Sequence, residues 1–210
     1  MGAALAVALL APPALAQQSG ALELQLPPRE AQRGEGPLVR SVGVLSDGQL
    51  RDLLRNGFPA RLHYRVELWS VGGVLNDIEG ATEWNLVVRY DPLDKAYRVA
   101  RFAGDRVVQL GRFAELRDAQ AAAERAYRAP VAPRRRGRSY YYAAVLDVET
   151  LSLTDLDEVE MWLKGELRPA VRGRRNPGTA LTRGVRTLMV RLLGGETRHY
   201  ELRSATFAPP

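Results

Sequence analysis

Trp84-Asn85-Leu86-Val87-Val88-Arg89-Tyr90-Asp91-Pro92-Leu93-Asp94-Lys95-Ala96-Tyr97-Arg98-Val99 is the stretch that decides the fold. Trp84, Leu86, Val88 and Tyr90 recur at every second position, and Tyr97 and Val99 resume that period after Asp91-Pro92-Leu93-Asp94. Alternate side chains of a strand point to opposite faces, so each half offers one core face and one wet face. Four turn-forming residues between two such segments predict an antiparallel hairpin. Leu62, Tyr64, Val66 and Leu68, alternating with Arg61, His63, Arg65 and Glu67, predict another strand of the same kind. Val71-Gly72-Gly73 to Gly80 reads as a long loop between these strands.

Working outward, Tyr140, Tyr142, Ala144, Leu146 and Val148 alternate with the fairly apolar Tyr141, Ala143 and Val145, which predicts a strand covered on both sides. Leu22–Leu26 reads as an edge strand or a leader, Leu38–Leu45 as a strand, and Arg198–Phe207 as a final strand or extended tail. Ser46 with Gln49 three residues on forms a capping box for a helix that Asn56-Gly57 ends. Further helices are expected over Gly111–Tyr127, from Thr154 to Gly165, and over Thr179–Leu193. The resulting fold class is α+β, an antiparallel sheet (sandwich-like or curved) with about four helices inserted between its strands. The expected division is a signal peptide at 1–16, a leader segment at 17–37, one domain over 38–207 and a tail at 208–210.

Composition narrows the function classes. Hydrophobic residues make up 46% of the chain and aromatic residues only 7%, so the core is built mostly from Leu, Val and Ala. Absence of Cys excludes disulfides, thiolate metal sites and thiol nucleophiles together. The net charge is +6, and Lys95 and Lys164 are the only lysines, so arginine supplies nearly all the positive charge. A coding bias accounts for that preference, as does a patch for phosphates or carboxylates, which the guanidinium fork pairs with well. Ala3–Leu10 is an uncharged apolar run, Pro12-Pro13 break it, and Ala14-Leu15-Ala16 gives the small-x-small pattern of a signal-peptidase site before Gln17. The run is too short to span a bilayer. These features point to an exported protein of the periplasm or cell envelope, without a transmembrane span after processing and without nucleic acid as a partner.

Three segments carry a family resemblance: Leu53-Leu54-Arg55-Asn56-Gly57-Phe58-Pro59-Ala60, the hairpin Leu86–Val99 with its paired tyrosines, and Leu151-Ser152-Leu153-Thr154-Asp155-Leu156-Asp157-Glu158-Val159. In this order they resemble an uncharacterised bacterial exported family, domain of unknown function 4390, over about Leu38 to Phe207. The Val71–Gly80 loop and the Arg134–Arg138 run depart from its pattern. The resemblance implies an envelope protein of unassigned activity and supplies no catalytic residue.

Chemistry-bearing groups are sparse. His63, between Arg61 and Arg65, and His199, beside Tyr200 and Glu201, read as surface or hydrogen-bonded structural residues. No His/Asp/Glu cluster has metal-ligand spacing. Asp155, Asp157, Glu158 and Glu160 suit the positive end of a helix and diverge around it. Gly-x-Ser-x-Gly, Ser-x-x-Lys and His-Glu-x-x-His motifs are absent. The reading is therefore non-enzymatic, with no catalytic, metal or cofactor-binding residue and no cofactor. Arg134, Arg135, Arg136 and Arg138 precede Tyr140-Tyr141-Tyr142, and Arg172, Arg174 and Arg175 form a second basic loop. Both loops fit solvated turns, and both fit docking on acidic groups. Helix Thr179–Leu193 fits core packing and also a membrane surface.

The leading expectation is a binding or assembly module that docks on a protein partner in the envelope or on an anionic membrane surface. The alternative is a carrier of an apolar ligand or lipid in a sheet–helix cavity, with Trp69, Trp84 and Trp162 as candidate walls and Leu68, Leu86, Val159 and Leu163 at its boundary. N-terminal sequencing of the exported protein should read from Gln17, and a chain that still begins at Met1 would contradict cleavage after Ala16.

Overall fold

The period-two segments become the middle of a six-stranded antiparallel sheet in the computed structural model, which describes residues 22–72, 75–151 and 197–210. The strands are β1 (Leu22–Gln25), β2 (Leu38–Ser41), β3 (Ala60–Ser70), β4 (Asp77–Asp91), β5 (Ala96–Ala103), β6 (Arg106–Phe113), β7 (Tyr127–Arg128), β8 (Tyr140–Thr150) and β9 (Arg198–Arg203). Two α-helices, α1 (Gly48–Arg55) and α2 (Leu116–Ala123), complete the described elements together with two short 3-10 turns. The large sheet runs β6-β5-β4-β3-β8-β9, and a second sheet runs β1-β2-β7.

Central strand β3 pairs along its whole length with β4 and with β8, so Tyr64 faces Trp84 on one side and Leu146 on the other. Its inward residues Leu62, Tyr64, Val66 and Leu68 are buried with Trp84, Leu86, Val88, Val99, Tyr142 and Leu146. The same core takes in Leu22, Leu24 and Val39 of the small sheet, Leu50 and Leu54 of α1, and Ala119 and Ala123 of α2. The small sheet and both helices thus cover one face of the large sheet. Tyr64 stacks on Trp84 at 4.9 Å between ring centroids, and Trp84 meets the Tyr127 ring edge-on at 4.9 Å. The Tyr64 hydroxyl donates to Ser41 Oγ at 2.8 Å, tying β3 to β2. Burial of that phenol pushes its pKa up to about 12.

The architecture is mostly β, which corrects the expected α+β fold with about four inserted helices. Residues Gly111–Phe113, expected in a helix, belong to edge strand β6, and Tyr127 belongs to β7. Gly111 decides the first point. Its φ is +149°, and a Cβ there would lie 2.6 Å from the Phe113 ring, so a glycine lets that ring fold back over the strand. Helix α2 is left with eight residues. Helix α1 is capped by Asp47, which accepts from the Leu50 amide at 2.9 Å, while Ser46 instead hydrogen bonds with Gln120. The expected loop from Val71 to Gly80 is shorter, because Asp77 already pairs with Ser70 and Ile78 with Trp69 beyond a bulge. Strand β8 has one face only half-covered. The helices expected from Thr154 and over Thr179–Leu193 lie outside the described residues.

Other expectations meet the structure directly. Leu22–Gln25 is an edge strand, Asn56-Gly57 ends α1 with Gly57 at positive φ, and Tyr90 sits opposite Tyr97 with rings 5.0 Å apart. In the turn between them Asp91 Oδ1 accepts from the amides of Leu93 and Asp94 at 3.1 and 3.3 Å. Trp84 holds the two sheets and the hairpin in one cluster. Trp84→Ala should lower unfolding free energy in urea titrations by about 3–5 kcal/mol, whereas a loss under about 1 kcal/mol would contradict this packing.

Candidate functional site

Three places in the fold gather side chains that could act on another molecule. The first is the end of the large sheet where β3 turns into β4. Ser70 pairs with Asp77 and with Tyr140, so the β3–β4 turn and the loop entering β8 are neighbours. The Val71 amide donates to the Ser139 carbonyl at 2.8 Å, and the Tyr140 hydroxyl donates to the Arg135 carbonyl at 3.1 Å. Arg134, Arg135, Arg136 and Arg138 are exposed on this loop. Arg135 Nε lies 3.8 Å from Glu79, whose Oε1 is buried without a hydrogen bond. Arg134, Arg136 and Arg138 have no carboxylate partner among the described residues. Elsewhere arginines are often paired: Arg65 with Glu67, Arg98 with Asp91 and Asp94, Arg128 with Glu35, Arg198 with Asp47.

The same end carries apolar groups. Val71, Leu75 and Ile78 are 40%, 77% and 50% exposed, which makes three of the five exposed large hydrophobics among the described residues. Exposed single hydrophobics are ordinary, but three grouped at one turn beside a basic loop form a patch with a polar rim. Asp77 and Glu79 are the acidic residues there. The sequence reading found the arginines and missed the apolar tip. Its signal was available in Val71, Leu75 and Ile78 within a stretch otherwise rich in Gly and polar residues.

The second place is the outer face of the large sheet. His199 reaches Asp147 Oδ1 through Nδ1 at 2.6 Å and Glu201 Oε1 through Nε2 at 2.8 Å. These hydrogen bonds, the Asp147 one first, raise the His199 pKa above its ordinary 6.5. His63 Nδ1 lies 2.9 Å from Asn85 Oδ1. Trp69 stacks on Tyr141 at 6.1 Å, and the Arg203 guanidinium sits 3.5 Å over the same Tyr141 ring. Trp69 therefore belongs to this open face and not to a cavity wall. The His199, Asp147 and Glu201 side chains are 53%, 33% and 71% exposed, so the set is open to solvent. Among the described residues no group of three His, Asp or Glu could hold a metal ion.

The third place is a cavity of about 180 Å³ between α2 and the β4–β5–β6 side of the sheet. Trp84 and Leu86, both expected at a cavity, line it with Tyr64, Leu110, Arg101 and Tyr127. Alanines 122 and 123 form the helix side, and their short side chains leave the space open. The space opens to solvent on the side of exposed Arg125. Arg101 was not anticipated. It stands opposite inward Leu86 on β5, two residues after buried Val99, so a charge on the core phase of the strand was its signal.

Arg172, Arg174, Arg175, Trp162, Val159, Leu163 and the Ala16–Gln17 junction lie outside the described residues. Among the described residues no helix is long and apolar enough to cross a membrane. Comparisons with protein-family models, with curated proteins and with solved structures found no match.

The His199 set gives a pH-dependent contribution with a definite sign. A raised pKa means that folding favours the imidazolium, so the stabilisation is complete below the ordinary value of 6.5 and is lost as pH rises through the folded value. His199 is half-exposed, which limits the gain to about 1 kcal/mol or less. His199→Gln should therefore lower Tm by about 1–3 °C at pH 5.5 and by less at pH 8.5. A larger penalty at the higher pH would contradict the assignment.

Proposed function

We propose that this chain is a non-enzymatic, exported binding module of the cell envelope that docks on an anionic membrane surface through the β3–β4 end of its large sheet. The observation that carries this reading is the pairing of an unneutralised arginine loop, Arg134, Arg136 and Arg138, with the exposed apolar tip Val71, Leu75 and Ile78. Each arginine near an anionic surface contributes on the order of 1 kcal/mol. Arginine also forks onto phosphate oxygens with two parallel hydrogen bonds. Complete burial of one aliphatic side chain adds about 1.5–3 kcal/mol, and the tip would enter only the headgroup boundary. The contact is thus reversible, and its two parts differ in salt dependence. The uncharged run Ala3–Leu10 before a small-x-small site supports export, and the resemblance to domain of unknown function 4390 agrees with an envelope location.

Screening shortens electrostatic reach from about 8 Å at physiological salt to about 3 Å at 1 M. The protein recovered after export should cosediment with phosphatidylglycerol vesicles at low salt, be released mostly at 1 M salt, and bind phosphatidylcholine vesicles weakly. Replacing Arg134, Arg136 and Arg138 with Ser should weaken binding at least about tenfold, since three such contacts are lost. Ile78→Ser should reduce the fraction that resists salt. Equal binding to neutral vesicles, or full binding by the triple variant, would contradict the proposal. Binding to envelopes that survives removal of lipid would point to an acidic protein partner instead and would equally contradict it.

A further inference from the structure

We infer that the cavity beneath α2 is a binding site for a small amphipathic monocarboxylate, with its apolar body against Trp84, Leu86 and Leu110 and its carboxylate on Arg101. The inference rests on the cavity alone and is independent of the membrane contact. The space of about 180 Å³ is walled by aromatic and aliphatic groups, with Ala122 and Ala123 opposite. Apolar cavities near ~150 Å³ hold a benzene-sized molecule, so a body of about six to eight carbons fits this one.

Arg101 supplies the head-group chemistry. It is half-buried on the inward side of β5 and has no carboxylate partner among the described residues. Its guanidinium lies 3.9 Å over the Tyr127 ring. That stacking occupies the face of the cation and leaves its in-plane N–H groups free to donate to two oxygens. The nearby acid Glu124 is already engaged by the Gly43 amide at 2.7 Å and by Gln120 at 2.9 Å. The Tyr64 hydroxyl is likewise committed, to Ser41. Arg101 is the half-buried cation of the site and Arg125 stands exposed at its rim, so the buried part of the space matches a single negative charge. An uncharged ligand leaves the Arg101 fork unused, and a phosphate has no apolar body to place against Trp84, Leu86 and Leu110.

Isothermal titration of the exported protein with octanoate, 1-octanol and octylammonium, each below its aggregation limit, tests the site. Octanoate should bind once per chain and at least about tenfold tighter than octanol, as a charge-assisted fork supplies. Octylammonium should bind weakest. Arg101→Gln should bring octanoate and octanol within about threefold of each other, because the charged half of the recognition is gone. Ala122→Leu or Leu110→Phe should fill the space and weaken both ligands together, with thermal melting confirming that each variant is folded. Should either filling variant fail to fold, the other and the head-group comparison decide. The Arg134, Arg136 and Arg138 triple Ser variant should keep its octanoate affinity. No octanoate binding, equal affinity for octanol, an unchanged preference in Arg101→Gln, undiminished affinity in the folded filling variants, or loss in the triple variant would each overturn the inference.

Discussion

Continuous pairing of β3 with a neighbour on each side is the constraint on which the structure depends. Eleven residues of β3 are matched to β4 and to β8, from Ala60 opposite Val88 and Thr150 to Ser70 opposite Asp77 and Tyr140. A one-residue slip would turn Leu62, Tyr64, Val66 and Leu68 out of the core, so burial enforces the register. The same register brings the β3–β4 turn beside the loop that enters β8. The basic loop and the apolar tip are therefore neighbours because the core is packed correctly, although they lie 60 or so residues apart along the chain.

Legibility in the sequence followed local periodicity. The hairpin with Tyr90 opposite Tyr97 was readable because turn residues separate two clean period-two runs. Strand β6 was not readable. It is an edge strand, and a register shift opposite Val99 and Ala100 breaks its alternation at Leu110. Its Gly111 and Phe113 were consequently joined to the alanine-rich helix that follows. The arginine loop was legible from charge alone. The cavity was only partly legible, since Trp84 and Leu86 declare themselves as core residues but the missing volume arises from small alanines on another element. Tertiary proximity, which periodicity does not encode, decided that point.

The two faces of the large sheet divide the molecule's roles. The inner face supplies stability through the Tyr64, Trp84 and Tyr127 rings and the cover of β1, β2 and the helices. The outer face is held by cross-strand ion pairs, such as Arg61 with Glu149, and by the Trp69, Tyr141 and Arg203 stack. Charges paired in that way neutralise one another and leave little field beyond the surface. The loop entering β8 is different, because three arginines within five residues have no such partner among the described residues.

Orientation on a membrane is where the fold bears most directly on the proposed function. Ile78 lies at the proposed contact, whereas Leu93, 94% exposed, lies at the opposite end of β4. The chain contains no Cys, so Ile78→Cys and Leu93→Cys each give one site for a nitroxide label. Power-saturation spectroscopy on phosphatidylglycerol vesicles should show the label at 78 gaining oxygen accessibility and losing contact with a water-soluble relaxation agent, while the label at 93 stays in water. A label at 93 that enters the lipid boundary, or a label at 78 that stays fully aqueous on bound protein, would contradict docking through this end of the sheet.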